Sequence, residues 1–523
     1  MAARLFTVMC ALLVLWHLLL RPISPYMIKL PNGYYIEPET KANGTTSLPT
    51  HPTALEISDA GGYSRWTVFI PHSSAFPLRS QQYQDICTQG GELRESIAKD
   101  SRLVRAKDWQ RKHSYYATDH TFLEVDRAER AGVLPRPQQF LDANICDKTL
   151  TFALTAEDSS FGKSLLMLWL SYGLAKREGR SFFIDDSTWA YGRFSSFFAP
   201  PPTPGCIQPP RHQIVPCPHS AKHIVVSSAT LPWTVGPTFE KEFSSPRQYG
   251  SEKNRRIYDL LRLGYEDLFV MRGEDALYAS SRLARFAEEA HQHAGSVVGM
   301  HIRRGDLHPL EYQYSQDYLP LERYALAARK MLRPRQRASS DSHTSVDDFS
   351  NIREYVNSPL LLGSDDPEMF ESIELKEYAS PFRIQKAQER IQLATKTKLD
   401  QISPAESLRE PGSAYVKHVE ENSGWEGGFY SSLFFALGKA RPGSNPVESD
   451  DSVLSESAAQ MRELVGRAYL LDLAVLGASD GVVCAVSSAS CRLLGVMLGW
   501  DAVRDGRWMN VDDGRPWSWD GKG

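Results

Sequence analysis

The chain has 523 residues, 42% hydrophobic and 23% charged, with 59 basic and 63 acidic side chains giving a net charge of -4. This ordinary globular composition excludes a wholly disordered, collagenous or coiled-coil chain, and the near balance of charge excludes a general nucleic-acid binder, which carries a basic excess. A mean hydropathy of -0.37 excludes a polytopic membrane protein, while the length allows about three domains and leaves room for one short apolar segment.

That segment runs from Leu5 to Leu20, between Arg4 and Arg21, with His17 its only strongly polar residue. It is short for a bilayer span, which needs about 20 residues, and slightly long for a signal-peptide core. No small-x-small cleavage site follows it. The favoured reading is an uncleaved signal-anchor over 1–21, against a cleaved signal peptide, and either sends the rest of the chain into the secretory lumen. Of the 7 cysteines, Cys10 lies in this segment. The other six are Cys87, Cys146, Cys206, Cys217, Cys484 and Cys491, whose pairing spacing alone does not fix. There is no Cys-x-x-Cys and no Cys/His cluster with zinc spacing, so no metal ligand is assigned. Asn43-Gly44-Thr45 is a glycosylation sequon for a lumenal chain.

Residues 22–80, rich in Pro, Ser, Thr and Gly and without a sustained period, read as a stem or linker. Residues 81–145 read as a helical region, with its charged stretch over 92–132. From about 146 helices alternate with apolar strands. Leu165, Leu168, Trp169, Tyr172 and Ala175 fall at helical spacing and predict a helix over Ser164–Gly179, followed by a strand over Ser181–Ile184. Ser296–Ile302, Pro359–Gly363 and Gly481–Val486 read as buried strands, the last leading into a helix over Ser488–Leu498. Strands alternating with helices imply α/β architecture with parallel sheets. Residues 333–350 and 440–457 lack apolar periodicity and read as inserted loops.

The sharpest motif is Gly299-Met300-His301-Ile302-Arg303-Arg304-Gly305-Asp306, placed where a buried strand ends. Ligands of open α/β sheets bind just past the carboxyl ends of strands, and adjacent guanidinium groups suit phosphate oxygens. The plainer alternative is a structural ion pair, for example with Asp306. Glu311, farther along that loop, is a candidate general base toward an acceptor hydroxyl, and His308 competes for that role. After the next strand, Asp365 and Asp366 could bind a ligand, yet Pro367 suits a first helical turn, so capping by Asp366 is at least as natural. Ser487 and Ser488 start a helix after a strand, which suits either phosphate binding or an ordinary N-cap. Ser160-Phe161-Gly162 is a similar turn upstream. The chain has no Asp-x-Asp, Walker A or His-Glu-x-x-His motif, which removes simple NTPase and zincin readings.

Together these segments resemble the α1,6-fucosyltransferase family, whose members include the core fucosyltransferase of N-glycans and bacterial enzymes acting on chitooligosaccharides. Three ordered motifs carry the likeness. They are His301-Ile302-Arg303-Arg304-x-Asp306 with Glu311, then Ser364-Asp365-Asp366-Pro367, then the run from Leu471-Asp472 through Asp480 to Val483-Cys484, Ser487-Ser488 and Cys491-Arg492. Ser160-Phe161-Gly162 and Asp186-Ser187-Thr188-Trp189 extend it, over about residues 155–500. The resemblance implies a GT-B-like fold, with a first α/β lobe over 146–290 and a second Rossmann-like, GDP-sugar-binding lobe over 291–500. It implies inverting transfer of L-fucose from GDP-fucose to a glycan hydroxyl, the acceptor being an oligosaccharide or glycoprotein. It implies no metal or other cofactor, and a Golgi membrane protein anchored by its amino-terminal segment. Arg303 would stabilise the leaving GDP and Glu311 would deprotonate the acceptor. Gly162, His301 and Asp472 would contact the nucleotide and Ser487 and Ser488 the phosphates, with Arg304, Asp365 and Asp366 also on the donor side. Cys484 and Cys491 would be disulfide-bonded. Leu307 departs from the pattern, standing where the best-known member has a lysine that assists the base. The tail over 501–523 is tryptophan-rich and without an SH3-like domain; its tryptophans read as core packing more than sugar stacking.

Overall fold

The apolar runs predicted as strands form the middle of one parallel sheet. The computed structural model describes residues 28–29, 35–36, 48–59, 62–100, 114–136, 144–155, 160–236, 238–292, 295–304, 319–332, 358–392, 456–512 and 514–521. They fall into two compact units. The first comprises residues 1–149, 206–225 and 232–236, and the second residues 150–205, 226–231 and 237–523. This division departs from the sequence-based lobes, because residues 206–225 return to the first unit through disulfides that spacing could not assign.

In the first unit, short strands β1 (Ile28–Lys29) and β2 (Tyr35–Ile36) join β3 (Thr53–Ser58) and β4 (Ser64–Phe69) in an antiparallel sheet of order β2-β1-β3-β4. Residues 53–58 and 64–69, read as stem, are therefore paired strands whose apolar residues are buried. The strands are short and set among turn-forming residues, which masks their period. Helix α1 (Ser80–Asp100) lies directly on this strand pair, since a Cβ on Gly90 would meet the Trp66 ring at 2.6 Å. After α2 (Val125–Arg130), disulfides Cys87–Cys217 and Cys146–Cys206 tie the returning segment to this unit.

The second unit begins its regular structure in β5 (Thr149–Thr155), then α3 (Phe161–Glu178) and β6 (Ser181–Thr188), which neighbours β5; the short strand β7 (His223–Val226) follows farther along the chain. Helix α3 follows the predicted spacing. Ser160 caps it by accepting from Lys163 N, and Gly179 ends it at φ 65°, where a side chain would be strained. Helix α4 (Arg255–Leu268) crosses α3 at unusual proximity. A Cβ on Gly173 would strike the Leu260 backbone and one on Gly264 the Trp169 backbone, so each helix offers a glycine to the other's main chain.

After α5 (Gly273–Gln292) comes the parallel sheet: β8 (Val298–Ile302), α6 (Leu321–Leu332), β9 (Leu360–Ser364), α7 (Ile373–Ala379), β10 (Ile384–Lys386), α8 (Glu456–Gly477), β11 (Gly481–Cys484), α9 (Ala489–Leu498) and β12 (Trp508–Asn510). Its order is β10-β9-β8-β11-β12. Burial of β8 and β11 on both faces explains their continuous apolar runs. Cys484 and Cys491 are bonded, as the resemblance implied. Trp500, Trp508 and Trp517 are buried, Trp517 fully, in keeping with the packing reading of the tail. Among the described residues no helix is long and apolar enough to cross a membrane. The Leu5–Leu20 segment and the two inserted stretches (residues 333–350, and 440–457 up to residue 455) lie outside the described residues.

The α3–α4 crossing gives a direct prediction. Alanine gains about 1 kcal/mol of helix propensity over glycine, but overpacking against immovable backbone costs about 1–3 kcal/mol or more. Gly173→Ala and Gly264→Ala should both lower the thermal midpoint. Gly91→Ala, which meets nothing within 4 Å, should leave it unchanged or higher. Melting curves that rank the three alike would contradict the crossing.

Candidate functional site

The strand order reverses beside β8. From β8 the chain moves outward to β9 and β10, then returns to place β11 on the opposite side of β8. Crevices at such switch points, beyond the carboxyl ends of the strands, are where α/β sheets bind ligands. Val483 is in register with Met300, and neighbouring strands lie about 4.8 Å apart. Arg303 and Ser487 therefore both follow the carboxyl ends of these adjacent strands.

His301 is buried near the end of β8, in register with Gly363 of β9. Arg303 is half-buried just beyond it. Arg304 is tied into the fold: its backbone N–H donates to Asp365 Oδ1 at 2.7 Å and its Nη2 donates to Leu319 O at 2.8 Å. Asp366 accepts from Glu368 N at 2.9 Å and caps the turn Pro367–Glu371. Asp365 and Asp366 thus both do structural work at the β9 end. Glu311, His308, Asp306 and Leu307 lie outside the described residues.

On the β11 side Ser488 is the N-cap of α9, accepting from Ser490 N at 3.2 Å. Among the described residues the Ser487 hydroxyl is buried without a hydrogen-bond partner. Arg492 braces the turn, donating to the carbonyls of Ser487 and Ser488 at 3.3 Å and of Trp519 at 3.2 Å. Val486 N donates to Asn510 Oδ1 at 2.9 Å. Asn510 was not singled out in the sequence, because its role depends on β12 pairing with β11.

Gly162 joins a second helix start to this turn. A Cβ there would strike the Tyr469 hydroxyl and lie 3.4 Å from Ala489 Cβ. The Tyr469 hydroxyl is itself 2.9 Å from Ser490 Oγ. The amino-terminal turns of α3 and α9 thus meet at Gly162 and Ala489, and each contributes a partial positive charge of roughly half a unit. Converging helix starts beside an arginine favour an anion.

Helix α8 carries Asp472 over the neighbouring strands. Leu476 would collide with a Cβ on either Gly299 or Gly363, at 2.9 and 2.8 Å, so only glycines let the helix sit this low. One turn earlier, Asp472 Cβ lies 3.4 Å from that Gly363 position. Part of the residue reaches solvent, but its carboxyl is enclosed. Desolvation raises its pKa well above the usual carboxylate range, opposed by a hydrogen bond from the Gln388 backbone and by Lys386. Helix α8 is held by a two-bond fork from Arg467 to Asp275 at 2.6 and 3.0 Å. The Gln388 segment is held by Arg282, which donates to Lys386 O at 2.8 Å.

No family model and no curated protein matches the chain. Among solved structures, the α-1,6-fucosyltransferase NodZ soaked with GDP-fucose is 14% identical over 67% of this chain and 92% of its own, at a TM-score of 0.30. Fucosyltransferase NodZ from Bradyrhizobium is 13% identical over 66% of this chain and 92% of its own, at 0.27. A point mutant of Arabidopsis thaliana FUT1 in complex with GDP is 10% identical over 76% of this chain and 78% of its own, at 0.32. At such scores none of these transfers a fold or an activity to this chain.

A carboxyl whose pKa is higher folded than unfolded binds more protons when folded, so stability falls as pH rises between the two values. Asp472→Asn removes that titration. The variant's melting temperature relative to wild type should therefore climb as pH rises above the usual carboxylate range. A difference flat with pH would contradict the enclosed carboxyl.

Proposed function

We propose that the chain is an inverting, metal-independent fucosyltransferase that moves L-fucose from GDP-fucose to a glycan hydroxyl, with α1,6-type acceptor chemistry. The observation that carries the reading is that Arg303 and Ser487, whose hydroxyl is buried, follow the carboxyl ends of the adjacent strands β8 and β11, with the α9 start after Ser487 packed against the α3 start. Such a group matches a diphosphate, which has two charged phosphates and several acceptor oxygens. Gly162 lets Tyr469 and the α9 start pack closely against the α3 start. His301 near the end of β8, in register with Gly363, and Asp472 beside Gly363 are assigned to the nucleoside in this reading. Arg304, Asp365 and Asp366 set the backbone from which Arg303 projects.

In this reading Arg303 neutralises charge on GDP as the C1–oxygen bond breaks. It supplies the electrostatic stabilisation other transferases take from a cation, consistent with a chain lacking Asp-x-Asp. Glu311, or His308, takes the proton from the acceptor hydroxyl as that oxygen attacks C1 from the opposite face. The GT-B-like arrangement, the Golgi location and anchoring through Leu5–Leu20 belong to the same proposal. Leu307, in place of the family's lysine, favours a second reading, a catalytically silent GDP-sugar or glycan-binding protein. A protein O-fucosyltransferase would keep the donor and change the acceptor.

Transfer assays with purified chain, GDP-fucose and a mixed glycan and peptide pool separate these readings by product mass. Arg303→Ala should cut turnover by about 100-fold or more and weaken GDP binding measured by calorimetry. Unchanged turnover would remove Arg303 from the mechanism. Glu311→Gln should leave GDP-fucose binding intact and slow transfer; near-normal transfer would move the base role to His308. Donor binding with no transfer to any acceptor would support the silent reading.

A further inference from the structure

The first unit contains a second group of chemistry-bearing side chains. His72 follows β4, Glu129 lies on α2, and His212 sits in the turn Arg211–Gln213. Their nitrogen and carboxylate donor atoms all lie within 4.8 Å of one another. His212 Nε2 is 2.7 Å from Glu129 Oε1, yet among the described residues it makes no hydrogen bond. The approach lies off the ring N–H direction, as for two groups facing a common centre. The His72 and His212 rings are 4.3 Å apart, tilted by 51°. The other carboxylate oxygen, Glu129 Oε2, accepts from Gln213 Nε2 at 2.6 Å, which fixes Oε1 toward the histidines. Beside the trio is a small cavity of about 10 Å³, walled otherwise by apolar residues such as Val68, Val125 and Leu134. Exposed His72 gives it an opening.

We propose that His72, Glu129 and His212 bind one divalent transition-metal ion of the zinc class. Two imidazoles and a carboxylate form a characteristic borderline donor set. Donor atoms around one such ion lie on the order of 3 Å apart, so small side-chain rotations complete the site. The cavity has room for about one ion or water molecule, and a water fills the fourth position. Gln213 is the outer partner that orients the ligating carboxylate. The ion links three segments scattered along the sequence, which is why ligand spacing did not reveal them. It does not enter the sugar-transfer chemistry, whose proposed residues lie in the second unit.

The test is metal content of the untagged full chain by plasma mass spectrometry, after equilibration with zinc and dialysis. Wild type should retain about one zinc per chain. His72→Ala, at an exposed position, and Glu129→Gln should each retain less than about a tenth of that. His219→Ala, whose ring packs on Tyr115 at 4.2 Å, should retain it in full. A chelator should lower the melting temperature of wild type and leave His72→Ala unaffected. Absence of zinc from wild type, or equal retention by all variants, would overturn the proposal.

Discussion

The geometry of the candidate site depends on how low α8 sits on the parallel sheet. Leu476 occupies space that a Cβ on Gly299 or Gly363 would fill, and these glycines lie on adjacent strands. Because of that seating, Asp472 covers the end of β9 and Tyr469 reaches Ser490 and Gly162. A single methyl group on either strand would lift the helix and, with it, Asp472 and Tyr469. Site geometry and core packing are therefore one constraint in this unit, and substitutions under α8 act on both.

Electrostatics follow from the same arrangement. The Arg467–Asp275 fork holds α8, and Arg492 clamps the Ser487–Ser488 turn through its carbonyls. Hydrogen bonds to charged groups are worth roughly 1.5–3 kcal/mol each, enough to keep these loops from relaxing around a ligand. Arg467 and Arg492 are thus engaged with a carboxylate and with backbone carbonyls. Arg303 stands half-buried just past the end of β8, where a guanidinium interacts more strongly with a phosphate than it would in bulk water.

Much of this was legible in the sequence. The β8, β9 and β11 runs and the α3 and α9 helices follow the apolar patterns within a few residues, because strands buried on both faces cannot hide their composition. The capping roles of Ser160, Asp366 and Ser488 follow from local chemistry. The paired strands at residues 53–58 and 64–69 were not legible, since short strands among Pro, Gly and Ser show too little period. Nor were the tying of Arg304 to Asp365, the bracing by Asn510, or the His72–Glu129–His212 group. Each joins residues far apart in the chain and is created by strand order and chain return.

Hydrogen exchange with and without GDP tests the central claim most directly. The account predicts slowed exchange at amides of residues 160–163, 303–304 and 487–491, lost in Arg303→Ala. Protection by GDP confined to other segments, or none at any concentration that saturates a nucleotide-binding signal, would contradict it.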